Sequence, residues 1–259
     1  MDPSLHNKIA FITGATSGIG YATAHILAKE GYKLVLCGRR KERLENLKVG
    51  LGNERNDNIF ILSFDVRDKQ AVSNAIESLP DTWKNVNVLI NNAGNAHGLS
   101  SIEDGDIEDW EAMMDINVKG LLYVSKELMP GMINRKEGHI INIGSLAGKE
   151  VYPQGNVYCA SKFAVDAITQ GMRIDLNQHN IKVSGVNPGL VETEFSKVRF
   201  KGDEEKAKKV YEGFKPLTAH DVAEVIAFII SRPSHVNIAD LLLLPTAQAN
   251  SKIVNRKEE

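Results

Sequence analysis

The sequence predicts an α/β protein: one doubly wound, parallel, seven-stranded sheet with helices on both faces. Short β-branched runs alternate with longer amphipathic stretches, the pattern of β–α–β units. Several runs are apolar nearly throughout, as in parallel strands covered on both faces. The length of 259 residues suits a single α/β unit. No Pro/Gly/Ser-rich linker and no internal repeat divides it, so one domain over 1–259 is expected.

The first strand is the apolar run at 8–13. A glycine-rich turn follows it and opens a helix over 18–29. Further strands are expected at 33–37, 59–64, 86–91, 139–143, 181–186 and 238–244, each a short aliphatic or β-branched run. Helices are expected to begin near Arg40, Lys69, Asp106, Asn156 and Ala219. Two segments break the rhythm. The stretch 191–215 is polar and charged and reads as a loop with short helical pieces. The polar tail 251–259 is expected either to be disordered or to reach a neighbouring subunit.

A composition of 42% hydrophobic and 25% charged residues places the chain among soluble globular proteins. The formal net charge of -2 gives no electrostatic reason to expect nucleic acid or an anionic membrane as partner. The apolar stretches at 222–230 and 238–244 are too short to span a bilayer. Residues 1–7 lack the basic and apolar regions of a signal peptide. Cys37 and Cys159 fit neither a metal site nor a disulfide framework. No metal and a reducing, cytoplasmic setting are therefore expected.

Thr13-Gly-Ala-Thr-Ser-Gly-Ile-Gly20 sits between the first strand and the first helix. Glycines there let the backbone turn tightly and let a pyrophosphate approach main-chain N–H groups. The helix N-terminus adds partial positive charge for that anion. Strand followed by helix is the context that gives such a turn its meaning. An NAD-binding unit usually places an acid at the end of the second strand, for the ribose 2′-hydroxyl. Here Arg39 and Arg40 follow that strand instead. Arginine offers a planar fork suited to phosphate oxygens, and two cations opening a helix oppose its dipole. NADP(H), held by its 2′-phosphate, is the expected cofactor.

Tyr158 and Lys162 stand four apart, on one face of a helix. Ser145 closes the apolar run that begins at His139. A phenol, an ammonium and a hydroxyl brought together form a proton-transfer device for an alcohol or a carbonyl. A free tyrosine titrates near pH 10 and must be tuned down by roughly two to three units to work near neutrality. Lys162 is the expected source of that tuning. Asn117 sits inside an expected long helix, where asparagine is unfavourable. His139 is expected to open a strand and stay structural, and Cys159 to be a small buried residue facing away from the catalytic groups.

Together these motifs resemble the classical short-chain dehydrogenase/reductase family. Thr13-Gly-x-x-x-Gly-Ile-Gly20, Asn91-Asn-Ala-Gly94, Asn117, Ser145, Tyr158-x-x-x-Lys162 and Pro188-Gly189 follow in that family's order. The resemblance implies a single-domain Rossmann fold, hydride exchange with NADP(H), and Asn117, Ser145, Tyr158 and Lys162 as catalytic residues. It implies a cofactor site at Gly14, Thr16, Ser17, Gly18, Ile19, Gly20, Arg39, Arg40, Asp65, Val66, Asn92, Ala93, Gly94, Tyr158, Lys162, Pro188, Gly189, Val191 and Thr193. It also implies a substrate lid over about 190–215 and a homotetramer paired through long helices. The stretches 138–145, 155–158, 188–196, 198–203 and 244–248 are similar to the NADP-dependent 3-hydroxy acid dehydrogenase group. That implies oxidation of serine, allo-threonine and other short 3-hydroxy acids, or reduction of carbonyls such as malonic semialdehyde. The stretch Asn95-Ala-His-Gly98 departs from the group, where apolar residues are usual.

A substrate carboxylate needs a donor. Ser196, Lys197 and Arg199 sit where the lid is expected, and Arg199 is the most attractive because a guanidinium binds a carboxylate bidentately. The candidate substrate site is Ser145, Tyr158, Gln154 and Arg199. Rival readings are a short-chain reductase of ketones, quinones, sugars or acyl thioesters, and a catalytically silent nucleotide-binding regulator.

Overall fold

The computed structural model describes residues 8–52 and 57–257. The expectations for 1–7 and for the last two residues of the tail lie outside them. In chain order the main elements are β1 (Ile9–Ile12), α1 (Gly18–Lys29), β2 (Lys33–Gly38), α2 (Lys41–Gly50), β3 (Ile59–Ser63), α3 (Lys69–Glu77), β4 (Val86–Asn91), α4 (Ile107–Met114), α5 (Gly120–Arg135), β5 (Gly138–Ile143), α6 (Asn156–Leu176), β6 (Ile181–Pro188), β7 (Val191–Glu192), α7 (Phe195–Arg199), α8 (Glu204–Lys209), β8 (Leu217–Thr218), α9 (Ala219–Ile230) and β9 (Asp240–Leu243).

Seven strands form one sheet in the order β3-β2-β1-β4-β5-β6-β9, every pair parallel. Side chains on a strand alternate between faces, and here both faces are covered. Phe11, Val35, Leu89 and Ile140 pack with Val72 and Ile76 of α3, Val124 and Leu128 of α5, and Val165 and Met172 of α6. Ala10, Ile12, Leu34, Leu36 and Ile90 pack on the other face with Leu27 of α1, Leu44 of α2 and Ile226 of α9. That two-sided burial is why the strands lack apolar–polar alternation.

Local signals start the helices where expected. The Asp68 side chain accepts from Gln70 N and Ala71 N to open α3. Thr218 and Asp221 form a reciprocal capping box at α9. No described helix is long and apolar enough to cross a membrane.

Four local features differ from expectation. The last strand is only Asp240–Leu243, paired with β6 from Gly185 to Pro188. The segment after β6 forms a short parallel ribbon, β7 with β8, in addition to two short helices. The long helix expected around Asn117 is α4 and α5 joined by a π-helical turn, Asp115–Lys119. The tail, as far as 257, folds back on its own chain. Gln248 bridges Val254, Asn255 N donates to Ala247 O, and Lys257 N donates to Gly213 O. The Arg256 guanidinium donates to the carbonyls of Val210 and Glu212 and lies over the Phe214 ring.

The sheet order reverses between β1 and β4. The carboxyl ends of the strands diverge there into a crevice, the usual ligand position in an open α/β sheet.

Candidate active site

A cleft of about 430 Å³ opens at that crevice. Its nucleotide end is built by the β1–α1 turn. Gly14 and Gly18 take φ of +66 and +55, which strain any other residue. A Cβ on Gly14 would stand 2.8 Å from Asn92 Nδ2. The Thr13 hydroxyl accepts from Asn92 N and Ala93 N, each at 2.9 Å, and so pins the loop after β4 against β1. Ser17 is the extended residue before α1, and its side chain caps none of the helix N–H groups. The first turn of α1 therefore keeps its anion-attracting character.

Beyond this turn stand the arginines. Arg40 donates to Thr16 Oγ1 at 2.8 Å and 3.2 Å and to Ser17 Oγ at 2.9 Å. Arg39 lies 3.7 Å from Asp65, a long ion pair, since Arg67 holds that carboxylate at 2.7 Å. Burial raises the Asp65 pKa, but the Arg67 and Arg39 cations outweigh it and hold it below the usual carboxylate range.

At the inner end α6 presents Tyr158 and Lys162, both buried. Lys162 Nζ donates to Ile143 O at 2.9 Å, and burial lowers its pKa to about 8. Ser145 Oγ accepts from Ala147 N at 3.1 Å, which opens a short 3-10 turn. Burial holds the Tyr158 pKa above its ordinary value; the Arg199 guanidinium and then the Ser145 hydroxyl pull the other way without outweighing it. This corrects the expected tuning. The strongest opposing charge on the phenol comes from Arg199.

Asn117 sits behind the cleft wall, in the π-helical turn. Its Oδ1 accepts from Asn95 N and its Nδ2 donates to Asn95 O, both at 2.9 Å. It also donates to Ser161 Oγ at 3.0 Å. A Cβ on Gly94 would come 2.9 Å from Asn117 Oδ1 and 3.6 Å from Lys162 Nζ. Only a glycine leaves the asparagine, the lysine and the β4 loop this close.

Arg199 reaches in from α7. Its guanidinium carbon lies 4.8 Å from the Tyr158 ring centre and 5.3 Å from that of Phe195. Its Nη2 donates to the Tyr152 hydroxyl at 2.8 Å. Its Nε is buried with no hydrogen bond.

Of the residues expected for the site, all but three line this cleft. Asn117 supports it from behind. Gly20 is buried beneath the turn, where a Cβ would meet Asn92 Nδ2 and Gly14 O at 2.5 Å; its smallness serves packing. Gln154 is exposed, has a φ of 63, and borders a smaller recess beside His97, Asp109 and Trp110. It is separated from the main cleft because the turn at 152–155 points it outward. Sequence reading missed Tyr152, Glu194, Phe195, Tyr211 and Ser251, which do line the cleft. Nothing in their spacing marks them, since long-range folding alone brings them in. His139 Nε2 lies 2.8 Å from Ser184 Oγ, inside the sheet and away from the cleft. Cys159 is fully buried beside Ala147 and Met113.

The model of the short chain dehydrogenases matches residues 8–204. The chain belongs to that family. The NADP-dependent 3-hydroxy acid dehydrogenase YdfG of Escherichia coli (strain K12) is 44% identical over 242 residues, covering 93% of this chain and 96% of that protein. The NADP-dependent 3-hydroxy acid dehydrogenase of Schizosaccharomyces pombe is 41% identical and covers 98% of each. Among solved structures, the closed form of serine dehydrogenase complexed with NADP+ superposes with a TM-score of 0.91 at 42% identity, over 96% of this chain and all of the other. As a short chain dehydrogenase, the protein is an oxidoreductase that acts between hydroxyl and carbonyl groups.

Proposed function

We propose that the protein oxidises short 3-hydroxy acids, or reduces the matching carbonyl acids, with NADP(H). One observation carries the substrate class. Arg199 stacks beside the Tyr158 phenol with a buried Nε that has no partner. A buried unpaired donor is costly, and a substrate carboxylate would satisfy it bidentately while its hydroxyl meets Tyr158. The names of the relatives support the same cofactor and substrate class.

The residues present fit NADP(H). Gly14, Gly18 and Gly94 leave room that a Cβ would fill. Thr16, Ser17, Ile19, Asn92 and Ala93 border the phosphate and ribose path, with Asp65 and Val66 near the base and Pro188, Gly189, Val191 and Thr193 on the opposite wall. Arg39 and Arg40 would take the 2′-phosphate. Bound NADP(H) supplies or accepts the hydride at the substrate carbon. Tyr158 holds and moves the alcohol proton. Ser145 donates to the substrate oxygen and keeps it against the phenol. Lys162 would hold the nicotinamide ribose and pass the proton on, with Asn117 fixing the backbone beside it. The segment 190–215 closes over substrate as a lid within one domain spanning 1–259. A cytoplasmic homotetramer paired through α4, α5 and α6 belongs to the same reading.

Arg199→Met tests the substrate class. The KM for 3-hydroxy acids should rise by about ten- to a hundredfold, as expected for loss of a charge-assisted pair. Turnover of a neutral hydroxy ketone should change far less. An equal loss on both would remove the carboxylate role.

A further inference from the structure

Arg40, which lines the cleft, and Arg43, just beyond its lining, lie one helical turn apart at the start of α2, and one carboxylate holds both. Glu194 Oε2 is 3.0 Å from Arg40 Nη1. Its Oε1 and Oε2 are 2.8 Å and 3.0 Å from Arg43 Nη1. Burial raises the Glu194 pKa, yet the two arginines outweigh it and hold the carboxyl below its ordinary range. Arg40 has little freedom to turn elsewhere, because its other donors grip Thr16 and Ser17 of the nucleotide turn. Two guanidinium groups fixed around one anion make a phosphate-type site already occupied by the chain's own carboxylate.

We propose that Glu194 is an internal competitor for the 2′-phosphate of NADP(H): the phosphate binds by taking Arg40 and Arg43 from it, so that Arg43 joins Arg39 and Arg40 as a phosphate ligand and Glu194 sets the affinity. This rests on the NADP(H) reading above. The chemistry favours the exchange. A phosphate monoester carries up to two charges and three acceptor oxygens, against one charge and two oxygens on the carboxylate. The ion pairs are also partly solvated, with side chains 43–47% exposed, so they yield at modest cost.

The position of Glu194 gives the exchange a further consequence. It lies between Thr193, whose side chain a Cβ on Gly18 would touch at 3.4 Å, and Phe195, whose ring centre is 5.6 Å from that of Tyr158. Arg199 follows at the end of the same short helix. Release of Glu194 therefore acts at the N-terminal end of the short helix that carries the proposed carboxylate ligand. Cofactor phosphate at one end of the cleft and substrate acid at the other are linked through five residues of chain.

The test is calorimetric titration of wild type, Glu194→Gln and Arg43→Met with 2′,5′-ADP, which carries the 2′-phosphate and no nicotinamide, and with 5′-ADP, which lacks it. Glu194→Gln should bind 2′,5′-ADP about five- to tenfold more tightly, and 5′-ADP unchanged. Arg43→Met should weaken 2′,5′-ADP about five- to tenfold, again with 5′-ADP unchanged; both ranges are typical of single charge-assisted contacts. In the double variant the gain from removing Glu194 should shrink, because one of its two contested partners is gone. If Glu194→Gln leaves 2′,5′-ADP binding unchanged or weakens it while wild type still prefers 2′,5′-ADP over 5′-ADP, the competitor role is wrong and the NADP(H) reading stands. If wild type binds the two nucleotides equally, both are wrong.

Discussion

Lys162 carries its function at a cost to the fold. The ammonium is buried at the end of β5, where it donates to the Ile143 carbonyl. Moving its pKa from 10.5 to about 8 costs on the order of 3 kcal/mol at pH 7. The unfolded chain binds the proton more readily, so the penalty is complete below about pH 8. It fades as pH rises from about 8 through 10.5, above which neither state holds the proton. Lys162→Met should therefore stabilise the nucleotide-free protein at pH 7 by about 1–3 kcal/mol, measured by urea unfolding, with the gain shrinking above pH 9. A loss of stability at pH 7 would mean the lysine is held as a satisfied cation. The same residues show what the sequence disclosed. Ser145, Tyr158 and Lys162 were legible because a strand end and a helix face fix their convergence locally. Glu194, Tyr152 and Tyr211 were not, since no local spacing announces a contact that spans the fold. The source of charge on the phenol was misread for the same reason: Lys162 is near in sequence, whereas Arg199 arrives from a distant helix.

At the level of elements, β5 shows how a buried polar group reports on pH. His139 stands at its second position, pairs with Ser184 of β6, and has its pKa lowered by burial, and then by Lys182, to about 3. An unfolded histidine takes a proton near pH 6.5. Between pH 6.5 and 3 the unfolded chain thus binds more protons, and stability falls as pH falls. His139→Asn should flatten that part of the stability–pH curve, though it lowers stability at pH 8 through the lost contact. An unchanged acid slope would exclude His139 as its source. The elements were the most legible layer. All seven sheet strands fall where apolar runs predicted them, because two-sided burial writes itself into composition. The β7–β8 ribbon and the π-helical turn escaped. The ribbon is two residues long on each side, and the turn differs from an α-helix by a hydrogen-bond shift that leaves the apolar pattern intact.

Across the whole molecule, the least legible feature is the return of the tail. Arg256 caps the end of α8 while Ser251 N donates to Glu150 and Ser251 borders the cleft. A polar stretch without periodicity gave no sign of this, because its partners lie far away in sequence and several are main-chain carbonyls. The tail ties residues 210–214 to residues 247–249 and to Glu150. Deletion after Asn250 should speed amide hydrogen exchange across 204–214 while β1, β4 and β5 keep their protection. Uniform acceleration would indicate a global loss of stability, and no acceleration would leave the tail without a bracing role.

The central claim joins the two ends of the cleft: a phenol that moves the alcohol proton, beside a cofactor held by the amino-terminal glycines. Initial rates of NADP reduction by a short 3-hydroxy acid such as serine, in wild type and Tyr158→Phe, together with NADPH affinity by fluorescence, test it most directly. The account predicts measurable turnover by wild type, a fall in kcat of about a thousandfold in the variant, and unchanged NADPH binding. Near-normal turnover by Tyr158→Phe would contradict it.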